Sequence, residues 1–227
     1  RWNEKYAPKR REDLAVSKCK VNELSSWFDS VFNRNSLGPF LLLKGPTGCG
    51  KTAAIKVLCD EFKVELIDCI IDGSSFGSDL ESTVSQTKQF ELFITKNNIN
   101  HCLTSEEDIK LNRRLLMIEE FPNAFYYKTK DFHRILIKAH DKLKSNLVPI
   151  VFVISESANG HSDEFKLLPK DLQNQLNFNV INFKPVTANA LKKTLNKLCN
   201  NHIDENDIRN IVETCSGDIR SAINTLE

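Results

Sequence analysis

Four apolar residues, Phe40-Leu41-Leu42-Leu43, lead into Gly45-Pro46-Thr47-Gly48-Cys49-Gly50-Lys51-Thr52, and a helix-patterned stretch from Lys51 to Phe62 follows. A short, continuous apolar run suits a strand buried on both faces. A strand that enters a helix through a glycine-rich turn is half of a βαβ unit. The chain is therefore committed early to a parallel sheet with helices on both faces. The octet itself fits the pattern GxxxxGK[ST]. Its glycines let backbone N–H groups turn inward around an anion, and the helix N-terminus adds partial positive charge. Lys51 would reach the β- and γ-phosphates of a nucleotide, and the Thr52 hydroxyl would ligate Mg²⁺. The alternative is a plain glycine-rich strand-to-helix turn.

The apolar texture recurs downstream. Val64 to Ile71, Leu115 to Ile118, Pro149 to Ser155 and Phe178 to Phe183 read as strands. Val21 to Phe32, Phe76 to Phe93 and Lys128 to Lys144 read as helices between them. Asn97 to Asn112 is polar and acidic and reads as a loop or short helix. After Pro185 the pattern changes to three short amphipathic helices. They carry Leu191, Leu195 and Leu198, then Ile208, Ile211 and Val212 behind a capping Asp204, then Ile219, Ala222, Ile223 and Leu226. An α/β domain over residues 1–185 and a small all-α domain over 186–227 are expected.

Composition narrows the function classes. Lys plus Arg number 31 and Asp plus Glu 30, a net +1. That excludes a uniformly basic chromatin-type protein and an acidic tail, and leaves room for a local basic patch. The seven cysteines form no CxxC pair and the five histidines do not cluster with them. A disulfide scaffold or zinc module is set aside, and free thiols suit the cytosol or nucleus. No run approaches the roughly 18 apolar residues of a membrane span. The chain opens on Arg1-Trp2-Asn3, without Met or a signal-peptide core, and is expected to be a piece of a longer protein.

Two further motifs carry chemistry. Leu115-Leu116-Met117-Ile118 ends in Glu119-Glu120. Beside a phosphate loop, Glu119 would serve the metal and Glu120 would polarise water. Two solvated acids at a strand end are the plainer reading. A Glu is one methylene longer than the usual Asp at the metal position, and Mg²⁺ demands tight octahedral geometry, so slow hydrolysis is expected. Cys215-Ser216-Gly217-Asp218-Ile219-Arg220 places Arg220 in the first turn of a helix that Gly217 opens. From a lid, an Arg there can reach a γ-phosphate. A surface Arg explains it equally well.

The order Trp2-Asn3-Glu4-Lys5-Tyr6-Ala7-Pro8, GPTGCGKT, strand-acid-acid, a polar residue ending the fourth strand, and SGDIR resembles AAA+ ATPases of the replication-factor-C clamp-loader type. Leu14-Ala15-Val16, then Lys18-Cys19-Lys20-Val21, and Ile118-Glu119-Glu120-Phe121-Pro122-Asn123 are similar to the large subunit of the DNA-damage checkpoint clamp loader. The resemblance implies a P-loop AAA+ module followed by a helical lid, with ATP and Mg²⁺ as cofactors. It implies that Tyr6, Pro8 and Val16 line the adenine pocket, that Gly45, Pro46, Thr47, Gly48, Cys49, Gly50, Lys51 and Thr52 hold the phosphates, and that Ser155 and Arg220 sense the γ-phosphate. The implied partners are four small replication-factor-C subunits, a heterotrimeric checkpoint sliding clamp and DNA bound without sequence preference, in the nucleus and away from membranes. Small loader subunits carry a Ser-Arg-Cys triplet whose Arg completes the neighbour's site. Here Gln175 stands at about that place and lacks the charge. The isolated chain is therefore expected to be a poor ATPase. The alternative is a nucleotide-gated structural subunit that binds ATP and leaves hydrolysis to its partners; a small-molecule kinase is a weaker third reading.

Other features carry less. The basic residues Lys128, Lys130, Arg134, Lys138, Lys142 and Lys144 could track DNA phosphates, although Asp131 and Asp141 dilute the field and a solvated charged face is the commoner explanation. Phe76, Leu80, Val84, Phe90, Leu92 and Phe93 read mostly as core, with a clamp-docking surface as the alternative. Cys49, near a helix N-terminus, is expected to have a lowered thiol pKa.

Overall fold

The structure is a computed structural model that describes residues 2–34, 37–69, 85–102, 113–142, 148–156, 164–199 and 204–226. Five strands form one sheet: β1 (Phe40–Pro46), β2 (Glu65–Asp68), β3 (Arg114–Ile118), β4 (Ile150–Glu156) and β5 (Asn179–Asn182). Their order is β2-β3-β4-β1-β5, and every pairing is parallel. The strands can be apolar along their length because both faces are covered, and the pleat sorts the side chains. Phe40, Leu42, Leu116, Ile118, Ile150 and Phe152 face one layer. Leu41, Leu43, Leu115, Met117, Val151 and Val153 face the other.

Helices α1 (Trp2–Lys5), α2 (Lys18–Asp29) and α3 (Lys51–Phe62) come first in the chain. Of these, α2 and α3 cover the second layer with Leu24, Phe28, Ile55 and Leu58. The first layer is covered by α4 (Gln86–Cys102), α5 (Asn123–Tyr127), α6 (Thr129–Lys142), α7 (Glu164–Leu167) and α8 (Lys170–Gln175). Phe132 sits at its centre, with ring centroids 4.8 Å from Phe125, 5.6 Å from Phe90 and 5.8 Å from Phe121. Each such fully buried ring contributes about 1.5–3 kcal/mol of apolar transfer.

After β5 come α9 (Ala188–Cys199), α10 (Glu205–Cys215) and α11 (Ile219–Thr225). Leu191, Leu195, Ile208, Ala222 and Ile223 form a separate apolar cluster there, with Trp2 and Ala15 packed against it. Among the described residues no helix is long and apolar enough to cross a membrane.

The structure departs from the sequence reading in three places. Of the two readings of the polar stretch from Asn97, helix rather than loop holds as far as Cys102, where it continues α4 instead of forming a separate short helix, and residues 103–112 lie outside the described residues. No Gly or Pro interrupts it, and polar side chains bond back onto the helix: Thr95 Oγ1 donates to Glu91 O at 2.7 Å and Asn97 Nδ2 to Phe93 O at 2.8 Å. Asp204 occupies the N-cap of α10 without a side-chain cap bond. Gly217 does not open the last helix; Asp218 does, its Oδ1 accepting from Ser221 N at 2.9 Å. Phe76, Leu80, Val84 and Lys144 lie outside the described residues. Phe90 is core, Phe93 is half-buried against it, and Leu92 is exposed.

Candidate functional site

The crevice opens at the C-terminal ends of the strands, where a doubly wound sheet changes direction. β1 lies between β4 and β5 and delivers the loop Thr47-Gly48-Cys49-Gly50 to the start of α3. Gly48 and Gly50 have φ of +62° and +91°, which L side chains rarely adopt. A Cβ on Gly50 would also stand 2.7 Å from Val16 Cγ2, so Val16 packs directly on the loop. The first N–H groups of α3 have no partner within the helix and face the loop's concavity.

Lys51 is 5% exposed, and its ammonium donates to Gly45 O at 2.9 Å and Pro46 O at 2.7 Å. No carboxylate lies within ion-pair distance of it among the described residues. Burial pushes its pKa below the ordinary 10.5, while Cys49, then Glu119 and Glu156, act in the opposite sense. A buried cation held by two carbonyls and, at 3.8 Å, the Cys49 sulfur is a poor end state, and an anion would complete it. Gly45 and Pro46 therefore support Lys51 from beneath and do not line the cavity. Cys49 is 1% exposed, and burial raises its thiol pKa, opposed first by Lys51. The expected lowering at the helix N-terminus is thus overturned, because desolvation outweighs the nearby positive charge.

β3 brings Glu119 and Glu120 to the same rim. Phe121 and Pro122 explain why the acids stay there. Pro122 is buried and forms the N-cap of α5, and Phe121 stacks on Phe152 with the planes 12° apart. The acids thus overhang the sheet from a packed anchor. The Thr52 hydroxyl donates to Glu119 Oε1, which joins the two expected metal ligands. Ser155 lies opposite Gly45 in the β1–β4 register, between the loop and the acids.

The remaining wall comes from the lid and the N-terminal segment. A cavity of about 450 Å³ is bounded by the loop from Thr47 to Thr52, by Glu119, Glu120 and Ser155, by Tyr6, Pro8 and Val16, and by Arg220. The start of α11 is seated on the loop, with Ile219 N donating to Gly48 O at 3.1 Å. A Cβ on Gly48 would run into the Asp218 carboxylate. Asp218 and Thr194, the latter lining the cavity from α9, were not singled out by the sequence. The cap spacing from Asp218 to Ser221 could have marked the first. Nothing local marks Thr194.

The other candidates separate. Gln175 is exposed on α8, whereas its neighbour Gln173 is buried and donates to Leu168 O at 2.6 Å. On α6 the basic row is partly neutralised, since Arg134 pairs with Asp131 at 3.1 Å and Lys138 with Glu91 at 4.0 Å. Trp27 is core, and Trp2 meets Tyr6 edge-on at 5.4 Å.

Sheet order, glycine loop and lid together define a P-loop module of the AAA+ class. The solved structure of the Thermotoga maritima RuvB Holliday junction branch migration motor shares this fold, with a TM-score of 0.59 at 17% identity over 96% of this chain and 63% of its own. The family model "Rad17 P-loop domain" matches residues 1–168, and the chain belongs to that family. It is 30% identical to the cell cycle checkpoint protein RAD17 of Chlorocebus aethiops, covering 100% of this chain and 38% of that protein. It is 26% identical to the replication factor C small subunit of Picrophilus torridus, covering 100% of this chain and 63% of that one. The chain thus spans well under half the length of its checkpoint relative.

Proposed function

We propose that the chain is the ATP-binding module of the large subunit of a checkpoint clamp loader. The carrying observation is the convergence of Lys51, the Thr52–Glu119 pair and the lid residue Arg220 on one cavity. The residues fit Mg²⁺·ATP. The buried ammonium has no carboxylate within ion-pair distance among the described residues, and the hydroxyl and carboxylate are hard oxygen ligands of the kind Mg²⁺ takes. Bound ATP supplies a γ-phosphate whose presence or loss distinguishes two states. Lys51 and the loop N–H groups neutralise the phosphates, and Thr52 and Glu119 hold the metal. Glu120 orients water, while Ser155 and Arg220 sense the γ-phosphate. Tyr6, Pro8 and Val16 enclose the base between an α/β domain of residues 1–185 and a lid domain of 186–227.

In this reading the chain acts in the nucleus, in the DNA-damage checkpoint and DNA repair. It joins four small replication-factor-C subunits and places a heterotrimeric sliding clamp on damaged or primed DNA. The names of its relatives and the resemblance of the SGDIR stretch to loader-type ATPases support these partners. A second reading has its own observation. Glu119 already reaches the Thr52 hydroxyl, so a nucleotide could be held with the metal position crowded and turnover slow. The chain would then be a nucleotide-gated structural subunit.

The test is ATP turnover by this subunit in the assembled five-subunit complex, with the small subunits' sites disabled and clamp and primed DNA present. An active ATPase loses turnover with Glu120→Gln. Tight binding without turnover in the parent complex selects the second reading, with Glu119→Asp as the change expected to restore it. Absence of ATP binding by the parent complex overturns both.

A further inference from the structure

A second concavity adjoins the nucleotide cavity: it shares the stretch from Tyr6 to Pro8, the stretch from Asp13 to Val16, Val186 and Thr194 with it, but none of the phosphate loop. It holds about 1180 Å³, more than the roughly 300–1,000 Å³ of small-molecule sites. It runs between the segment from Lys5 to Asn22 and the stretch from Lys184 into α9. Nine Lys or Arg line it against Glu12 and Asp13, a local +7 in a chain whose total is +1.

Ion pairs already engage four of those nine. Arg11 holds Glu61 at 2.5 Å and Lys20 holds Glu23 at 2.5 Å. Arg10 and Lys197 both face Asp13, at 3.6 and 2.5 Å. Lys5, Lys9, Lys18, Lys184 and Lys193 are exposed and have no ion pair among the described residues. They converge from separate stretches of chain, unlike the single solvated face of a charged helix. Between them Leu14, Ala15, Val186, Ala190 and Leu198 give the lining an apolar portion, interrupted by Ser17, Thr187 and Thr194.

This combination selects among anionic partners. A duplex carries its charge along a convex outside and would leave the apolar floor unused. Single strands need aromatic platforms on which bases stack. The one ring here, Tyr6, is flanked by Trp2 and covered by Lys5 Nζ at 5.3 Å. Phosphopeptide sites use arginine clusters, and both arginines here are engaged. What remains is a basic rim over an apolar floor.

We propose that this groove docks a short acidic peptide with interspersed apolar side chains, carried by a protein partner. Its carboxylates pair with Lys9, Lys18, Lys184 and Lys193, and its apolar side chains lie on Leu14, Ala15 and Ala190. The test is fluorescence anisotropy with a fluorescein-labelled octapeptide alternating Glu and Leu, measured at low and high salt. A poly-Glu octapeptide and an oligothymidylate of equal charge serve as comparators. The combined variant Lys9→Glu, Lys184→Glu, Lys193→Glu is compared with Lys170→Glu, which lies outside the groove, after circular dichroism shows both folded. The Glu/Leu peptide is expected to bind more tightly than either comparator, and its affinity to fall about tenfold or more in the triple variant and to be unchanged in Lys170→Glu. The proposal is overturned by no binding of that peptide, by equal binding to the triple variant, or by a comparator that binds as tightly.

Discussion

The two walls of the nucleotide cavity are built on different principles. The phosphate wall hangs from β1, β3 and β4, whose residues Leu42, Leu43, Leu116, Ile118 and Phe152 are fully buried. The facing wall, from the N-terminal segment and lid, is held by a few polar contacts. These are Ile219 N to Gly48 O at 3.1 Å, Lys197 to Asp13 at 2.5 Å, and Val186 N to Gly217 O at 3.1 Å, together with the packing of Trp2 on the lid cluster. The first wall is preorganised for anions at fixed positions. The second rests on a smaller buried cluster, the arrangement that the proposed reading of a nucleotide-reporting lid needs.

The largest effect should come from the preorganised side. Phe132→Ala is expected to destabilise the chain by about 3–5 kcal/mol in urea unfolding, because it leaves a cavity amid the rings of Phe90, Phe121, Phe125 and Phe152. A loss under about 1 kcal/mol would break the contrast between the walls. Gly48→Ala should act at the junction. Its φ of +62° and the Asp218 carboxylate both oppose a Cβ. ATP affinity is expected to fall by about tenfold or more (about 1.4 kcal/mol) with far-ultraviolet circular dichroism preserved. Unchanged affinity would mean the lid is not seated on the loop when ATP binds.

The sequence made the phosphate wall legible and left the other half-read. Continuous apolar runs mark β1, β3 and β4 because helices cover both sheet faces, and the glycine octet names its own geometry. The Phe121-Pro122 anchor was visible as a motif, though not as the packing that pins Glu119 and Glu120. The pair Asp13–Lys197 joins residues 184 positions apart, and no local pattern announces such a contact. Cys49 misled because proximity to a helix N-terminus is local, whereas burial is a property of the whole fold. Asp218 was readable as a cap, yet the preceding Gly217 drew the reading one residue early.

Smaller effects sharpen the lid side. Asp218→Ala should cost about 0.5–2 kcal/mol, the usual range for a lost N-cap, seen as faster amide exchange at Ser221 with the α/β core unchanged. Equal acceleration in β1 would mean that the two walls unfold as one. The smallest effect is pH-dependent. The hydrogen bond from Lys197 holds the Asp13 carboxyl below its ordinary 3.8, against a desolvation that raises it. A depressed folded pKa stabilises the docked lid fully above the unfolded value and loses that contribution as pH falls through the folded one. Lys197→Ala should therefore speed the lid's exchange near neutrality, where the contribution is fully present, and flatten the acid limb below about pH 4, where the parent loses it. An unaltered acid limb would remove this contact from the account.

The most direct test of the central claim is calorimetric titration of the chain with ATP and with ADP, each with and without Mg²⁺, for the parent and for Lys51→Ala and Arg220→Ala. The account expects one site per chain, weaker without Mg²⁺, lost in Lys51→Ala, and with its preference for ATP over ADP erased in Arg220→Ala. Affinity that survives Lys51→Ala, or an ATP preference that survives Arg220→Ala, would contradict a single site shared by the phosphate loop and the lid.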